Sequence, residues 1–275
     1  MYKRVLLALD LEGVNNVVGE PYSGLSKNSE PWEAARRQAA LEINAAVEAL
    51  CDAGVEKIDL WDNHGGGGNI IESDLDERIT LLTVDRLKPR MYFAEGEYDC
   101  ICYFGYHTME GTLGGVLAHT MSSISTQYYK INGSYVGEID MDVFIASSMG
   151  IHSCFFAGGD ITCRQAKRVL PEMITVETKT ELSRNSAIFR DNDELFADIK
   201  RAIVEALNTD VPLKTLSFPC SFEKSFKRVE DAAKHLERVR SFGIVADYPD
   251  DDILGKDAHT VVSTVNDINE FRKCI

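Results

Sequence analysis

The sequence contains no apolar run long enough to cross a bilayer, which takes about 20 residues, so a membrane partner is not expected. It has no basic excess: 29 Lys and Arg stand against 44 Asp and Glu, a formal net charge of −15. A field of that sign repels polyanions, which argues against nucleic acid as a partner. The seven cysteines are odd in number and show no metal-finger spacing. At the N-terminus, Asp10 interrupts the apolar stretch before it reaches the length of a signal-peptide core. Together these features lead us to expect reduced thiols and a cytoplasmic location. Cys100 and Cys102 can share one strand face, and we read them as buried packing thiols. The glycine run "HGGGGN" lacks both the Walker lysine and the GxGxxG order, so it reads as a loop beside His64 rather than a phosphate cradle. Repeats and low-complexity tracts are also missing.

What is present is an ordinary globular chain of 275 residues, 44% hydrophobic and 27% charged. Four apolar runs, "RVLLALDLEG", "VEKIDLWDNHG", "YDCICYFGYH" and "IHSCFFAGGD", alternate with helical patterns. That alternation predicts a three-layer α/β/α fold with a mainly parallel sheet. The clearest helix is "SEPWEAARRQAALEINAAVEALCDAG", with Ser29 as N-cap, Pro31 in the first turn and Gly54 as its stop. A hairpin is expected at Asn132-Gly133, then a helix ending at Gly150, another ending before Pro171, and a long one over "DNDELFADIKRAIVEAL". The acidic clusters Asp191 to Glu194 and Asp247 to Asp252 read as solvated loops. After "NTDVPLK" the pattern changes to "TLSFPCSF", a charged helix "KSFKRVEDAAKHLERVR", two extended pieces and a final helix. We therefore expect two parts, a catalytic α/β domain over 1–210 and a smaller C-terminal α+β unit over 211–275.

Ligands of open parallel sheets gather beyond the carboxyl ends of the strands. Strand one ends in Asp10 and Glu12, strand two in Asp62, Asn63 and His64, and strand three in Tyr106 and His107. Glu138 opens the helix after the hairpin. Alternation along a strand lets Asp10 and Glu12 face one side while Leu11 turns away. Taken singly, an acidic pair after a strand is a cap and a lone histidine is a packing residue. Occurring together at three strand ends and one helix start, Asp10, Glu12, His64, His107 and Glu138 form a set of carboxylates and imidazoles that suits zinc. Five donors exceed one open tetrahedral site and suit two metals about 3.5–4 Å apart, with Asp10 as the natural bridge. His119, on a loop with Gly111, Gly114 and Gly115, could be a further ligand, a general acid or base, or a donor to a carbonyl. His152 reads as packing; His235 sits in a charged helix, and His259 lies away from the other candidates.

The motifs "DLEG", "DNHGGGGN", "GYHTMEGTLGGVLAHTM", "INGSYVGEIDMDVFIASSMGI" and "FFAGGD" together resemble the zinc-dependent D-aminopeptidases of bacterial dipeptide-transport operons, in the family's order and approximate spacing. The resemblance is good over about residues 5–165. It implies that Asp10, Glu12, His64, His107 and Glu138 hold two zinc ions per subunit and that His119 is the catalytic histidine. It further implies hydrolysis of short D-amino-acid peptides or D-aminoacyl amides through a zinc-bridging hydroxide, in a homo-oligomer that is a ring of ten.

The nearest alternative is a related dinuclear-zinc amide hydrolase acting on an L-peptide or a non-peptide amide. A magnesium-dependent phosphatase of the haloacid-dehalogenase type is more distant. Its second acid is normally Asp, whereas here Glu12-Gly13 is followed by Val14, and the histidine-bearing strand ends would go unused. A non-catalytic metal-binding scaffold is the remaining reading. It differs in prediction, since structural zinc is closed by four protein ligands whereas this set leaves positions for water.

Overall fold

Strands buried along nearly their whole length form the centre of the molecule. In the computed structural model, which describes residues 2–275, β1 (Arg4–Leu9) is followed by α1 (Glu30–Asp52), β2 (Lys57–Asp62), β3 (Thr80–Leu81) and β4 (Cys100–Tyr106). A hairpin of β5 (Thr126–Ile131) and β6 (Ser134–Val136) precedes α2 (Glu138–Ser148), β7 (His152–Gly158), α3 (Asp160–Val169) and β8 (Ile174–Glu177). A second hairpin, β9 (Lys179–Ser183) and β10 (Ser186–Phe189), leads into α4 (Asn192–Asn208). The chain continues through β11 (Cys220–Phe226), α5 (Val229–Ser241), β12 (Val245–Asp247), the short β13 (Asp250–Asp251) and β14 (Gly255–Lys256), β15 (Thr260–Val265) and α6 (Ile268–Cys274).

Six strands pair in parallel in the order β3-β2-β1-β4-β7-β8. Beyond its first residue β1 is fully buried, and β4 is buried throughout. Continuous apolar strands are what a sheet covered on both faces requires. α1 packs with α4 on one face and α2 with α3 on the other, the three-layer α/β/α arrangement expected from the strand–helix alternation. From β1 the order runs through β2 to β3, and from β4 it runs the opposite way through β7 to β8. The strand order therefore reverses between β1 and β4, and ligand sites of such sheets lie at that switch point.

Local signals act as expected at several ends. Ser29 Oγ accepts from the Trp32 amide at 3.3 Å, and Gly54 takes φ +76° just past α1. Asn132 and Gly133 both have positive φ (48° and 79°), the requirement of a tight two-residue hairpin. The acidic cluster Asp191 to Glu194 is solvent-exposed, as expected, but it forms the start of the long helix α4 rather than a loop. Asp191 accepts from the Asp193 and Glu194 amides at 2.9 and 3.2 Å, and acids at a helix N-terminus are stabilised by its dipole.

A second, antiparallel sheet has the order β12-β15-β11-β5-β6. The β5–β6 hairpin, whose sequence position lies within 1–210, is thus paired with strands of 211–275 through registers such as Phe222 with Ile131 and Lys224 with Tyr129. A two-stranded hairpin alone is marginal. Pairing with β11 gives β5 a second neighbour and brings Tyr129 and Phe222 to 5.6 Å between ring centroids. The charged helix expected from Lys224 begins only at Val229. Alternation through Cys220, Phe222, Lys224 and Phe226 keeps this stretch extended, with the Lys224 stem buried and its Nζ donating to the Ile275 carbonyl at 2.7 Å. Among the described residues no helix is long and apolar enough to cross a membrane.

Candidate metal centre

Asp10 and Glu12 leave β1 on one side, 3% and 6% exposed, while Leu11 between them is fully buried. β1 and β4 stay in contact past their last ladder bonds: the Asp10 amide donates to the Phe104 carbonyl at 2.8 Å and the Gly13 amide to the Gly105 carbonyl at 2.6 Å. Two glycines permit this approach. A Cβ on Gly105 would lie 2.0 Å from the Asp10 carbonyl oxygen, and one on Gly13 2.1 Å from that of Tyr106. Gly105 also has φ +68° and sits where the β4–β7 register shifts. It is a bulge residue, of the kind that re-aims the side chains following it, here Tyr106 and His107.

The segment after Glu12 is held from beneath by Lys179, a buried side chain missed by strand-end reasoning. Its Nζ donates to the carbonyls of Glu12 (2.5 Å), Val14 (3.0 Å) and Val17 (2.6 Å), so three donors meet three acceptors. His64 follows β2. Asp62, a strand-end candidate, faces away from the centre and accepts from the Asn69 amide (2.7 Å) and Asn69 Nδ2 (2.9 Å). It closes the loop of Gly65 to Gly68, and Arg86 donates to its carbonyl from the other side. Glu138 is the first residue of α2, and Asp140 accepts from the Gly137 amide at 2.8 Å to secure that start.

The five candidate donors meet in two groups joined by Asp10. His64 Nδ1 lies 2.8 Å from Asp10 Oδ1 and 3.1 Å from Glu12 Oε2. His107 Nε2 lies 3.5 Å from Asp10 Oδ2 and 3.1 Å from Glu138 Oε1. His107 Nδ1 donates to the Thr108 carbonyl at 3.0 Å, which fixes the tautomer and leaves Nε2 toward the carboxylates. His119 stacks on His107 with centroids 3.6 Å apart and donates from Nδ1 to the Leu117 carbonyl at 2.8 Å, leaving its Nε2 free.

The electrostatics of this cluster call for positive charge. Burial pushes Asp10 up to about 7, and the Glu12 charge adds to it. Glu12 is held well below the usual carboxylate range because the His64 charge and hydrogen bond outweigh burial. Glu138 goes down to about 2, burial again being outweighed, here by His107 and Arg90. Against the cost of burial, the carboxylates raise His64 to about 11 and His107 to about 10. Burial and the neighbouring His107 lower His119 to about 4. Three buried carboxylates therefore collect protons on two imidazoles, and a divalent cation supplies the same charge while using those nitrogens as ligands. The donor set fits zinc.

Around the donors lies a shell that strand-end reasoning missed. The Arg90 guanidinium pairs with Asp142, through Nε to Oδ1 and through Nη2 to Oδ2 at 2.7 Å, and comes within 3.8 Å of Glu138 Oε2. Tyr106 donates to Asp142 at 2.7 Å, and Asn63 Nδ2 donates to Tyr106 at 3.1 Å. Arg90 falls in a polar loop and Asp142 in an acidic helix turn, and neither context marks a pair. The site opens into a cavity of about 570 Å³ whose walls include Tyr22, Ile124 and Arg184. The remaining histidines are elsewhere: His152 and His259 bond to the carbonyls of Val211 and Phe226 (2.7 and 2.9 Å), and His235 is buried beside Phe226. The thiols of Cys100, Cys102 and Cys154 cluster within the sheet, all fully buried.

A doubly wound sheet with buried carboxylates and imidazoles at its switch point defines an α/β protein with a site for divalent metal. The profile described as D-aminopeptidase matches residues 3–245, and the chain belongs to the D-aminopeptidase family. It is 23% identical over 186 residues to a D-aminopeptidase of Bacillus subtilis (strain 168). That alignment spans 66% of each chain, slightly under two thirds of the relative's length. Its fold is similar to that of the Zn-dependent D-aminopeptidase DppA from Bacillus subtilis, described as a self-compartmentalizing protease, with a TM-score of 0.83 at 19% identity over 98% of this chain and 94% of that one.

Proposed function

We propose that the chain is a zinc-dependent aminopeptidase that removes the N-terminal residue of short D-amino-acid peptides or D-aminoacyl amides. The observation that carries this reading is the division of donors by Asp10. One carboxylate oxygen faces His64 and Glu12, the other faces His107 and Glu138. That division supports two zinc ions per subunit: Glu12 and His64 would hold one, His107 and Glu138 the other, and Asp10 would serve both. When bound, zinc lowers the pKa of water toward neutrality and polarises the amide carbonyl.

The chain's own residues do the rest. His119, kept neutral by burial and the neighbouring His107 and with Nδ1–H committed to Leu117, presents an unprotonated Nε2 to the cavity. It takes a proton from the attacking water and delivers it to the nitrogen of the departing amine. Thr108 and Met121 hold the donors: Thr108 accepts from His107, and the Met121 amide donates to Glu138 Oε1 at 2.7 Å. We place the centre in the part spanning 1–210, with 211–275 completing the second sheet. The self-compartmentalizing relative supports a homo-oligomer, for which we propose a ring of ten, and the seven free cysteines support the cytoplasm.

The test is metal analysis of zinc-loaded protein together with a panel of D- and L-dipeptides and aminoacyl amides. The expected result is about two zinc per chain, release of D-alanine from D-peptides and loss of turnover on chelation. Protein that takes up no stoichiometric zinc overturns the centre. Turnover of L-peptides alone overturns the substrate.

A further inference from the structure

A second cavity, of about 460 Å³, lies between the loop carrying Arg86 to Tyr92 and the C-terminal ends of α5 and α6. Its walls carry Lys88, Arg238, Arg272 and Lys273; Arg86 borders it too, but its guanidinium lies against the glycine loop, donating to the Asp62 carbonyl beside Gly67. The chain has 15 more acidic than basic side chains, so carboxylate partners are plentiful. Yet among the described residues none of these four pairs with an Asp or Glu side chain. Lys88 lies over the Tyr92 ring at 4.7 Å and Lys273 over the Phe242 ring at 5.5 Å. Arg272 Nε donates to the Arg90 carbonyl at 2.8 Å, and Arg238 Nη2 to the oxygen of Ile275, which also lines the cavity, at 3.5 Å.

Helix dipoles account for a cation at the end of α5 or α6. They do not account for Lys88, which comes from a loop, or for its convergence with the helix-end cations. A separate observation marks the same wall. Trp61, 2% exposed, lines the cavity, and its indole Nε1–H is buried without an acceptor. A buried unpaired donor is costly, and an acceptor brought against it would recover that cost. Burial also lowers Arg272 from the usual guanidinium range, as expected for a cation partly removed from water with too little counter-charge.

We propose that this cavity binds a small organic phosphate, its phosphoryl oxygens held by Lys88, Arg238, Arg272 and Lys273 beside the Trp61 indole and its apolar or planar part lying against Tyr92 and Phe242. Arginine and lysine together suit phosphate oxygens, and the aromatic walls favour a body attached to the phosphate over the bare ion. The cavity is one residue removed from the metal centre: Arg90 gives its carbonyl to Arg272 and its guanidinium to Asp142.

ADP, pyrophosphate and adenosine serve as probes, titrated into the zinc-loaded protein by calorimetry and by the fluorescence of Trp61, with the Trp61→Phe variant assigning the signal between the two tryptophans. ADP is expected to bind more tightly than pyrophosphate, and adenosine not to bind. Lys88→Gln and Arg272→Gln are each expected to weaken ADP about tenfold or more, while Lys167→Gln, on the distant α3, leaves its affinity unchanged. Lys88 is an exposed loop residue, so its variant tests the site even where Arg272→Gln fails to fold. Equal ADP affinity in the parent and Lys88→Gln, or ADP binding without a Trp61 response, places the ligand elsewhere and overturns the proposal. Loss of the oligomer in Lys88→Gln, with no probe bound by the parent, makes this face a contact between copies and also overturns it.

Discussion

Replacing Gly105 by alanine should damage stability and the metal centre together, by amounts the backbone allows us to work out. Gly105 has φ +68°, where a Cβ costs about 1–2 kcal/mol. Its Cβ would stand 2.0 Å from the Asp10 carbonyl oxygen and 2.9 Å from a Val14 methyl group. The nearer atom is backbone, so no rotamer change relieves the overlap. The β1 end must retreat by about 1 Å, and overpacking of this kind adds about 1–3 kcal/mol. A total of about 2–5 kcal/mol corresponds to a fall in melting temperature of about 5–15 °C for a chain of this size. The retreat moves Asp10, whose two oxygens face the two histidines, by several times the tolerance of about 0.2 Å on a metal–ligand distance. Zinc content should therefore fall with melting temperature. Calorimetric melting and metal analysis of Gly105→Ala measure both, and two controls separate the causes. Gly111→Ala, at φ +81° with no atom within 4 Å, should show strain alone. Gly66→Ala, with neither strain nor neighbour, should show no change. A Gly105→Ala protein that melts with the parent and retains full zinc would refute the close approach of β1 and β4 as the basis of the site.

Lys179→Met strands three carbonyls beneath the Glu12 segment and should cost about 3 kcal/mol or more in urea denaturation, with zinc held less tightly; unchanged stability would show that the Lys179 bonds add nothing. Glu42 is buried and pushed up to about 7 by burial, against an ordinary value of 4.5, so the folded protein keeps a proton the unfolded chain releases. Its contribution is full below 4.5 and is lost as pH rises through 7, up to about 3 kcal/mol. Denaturation of Glu42→Gln at about pH 5 and about pH 8 should remove that part of the slope, and a slope equal to the parent's excludes Glu42 as its source. His119→Ala should lower kcat by about 10²–10⁴-fold with zinc retained, and loss of zinc instead would make His119 a ligand rather than the proton carrier.

Why the candidate donors are legible in the sequence while the shell that aims them is not follows from what local periodicity encodes. Asp10, Glu12, His64 and His107 follow strands whose apolar runs are readable residue by residue, and the switch-point rule for parallel sheets says that such ends converge. Glu138 is readable because Gly137 breaks the hairpin pattern at a helix start. Strand periodicity shows where each strand ends, but not which backbone lies beside it. Gly105 reads as a glycine inside a strand, and its consequence exists only once β4 is set against Asp10 of β1. Lys179 sits among polar residues of an extended segment and resembles any surface lysine until the carbonyls of Glu12, Val14 and Val17 close over it. The β5–β6 hairpin was legible as a turn, yet its partner β11 is a pairing between distant parts of the chain that no local pattern specifies. Donor identity is thus a property of strand ends and donor geometry a property of long-range contacts. For that reason the variants that test the centre most sharply are Gly105 and Lys179, two residues with no metal-binding atom in their side-chain role here.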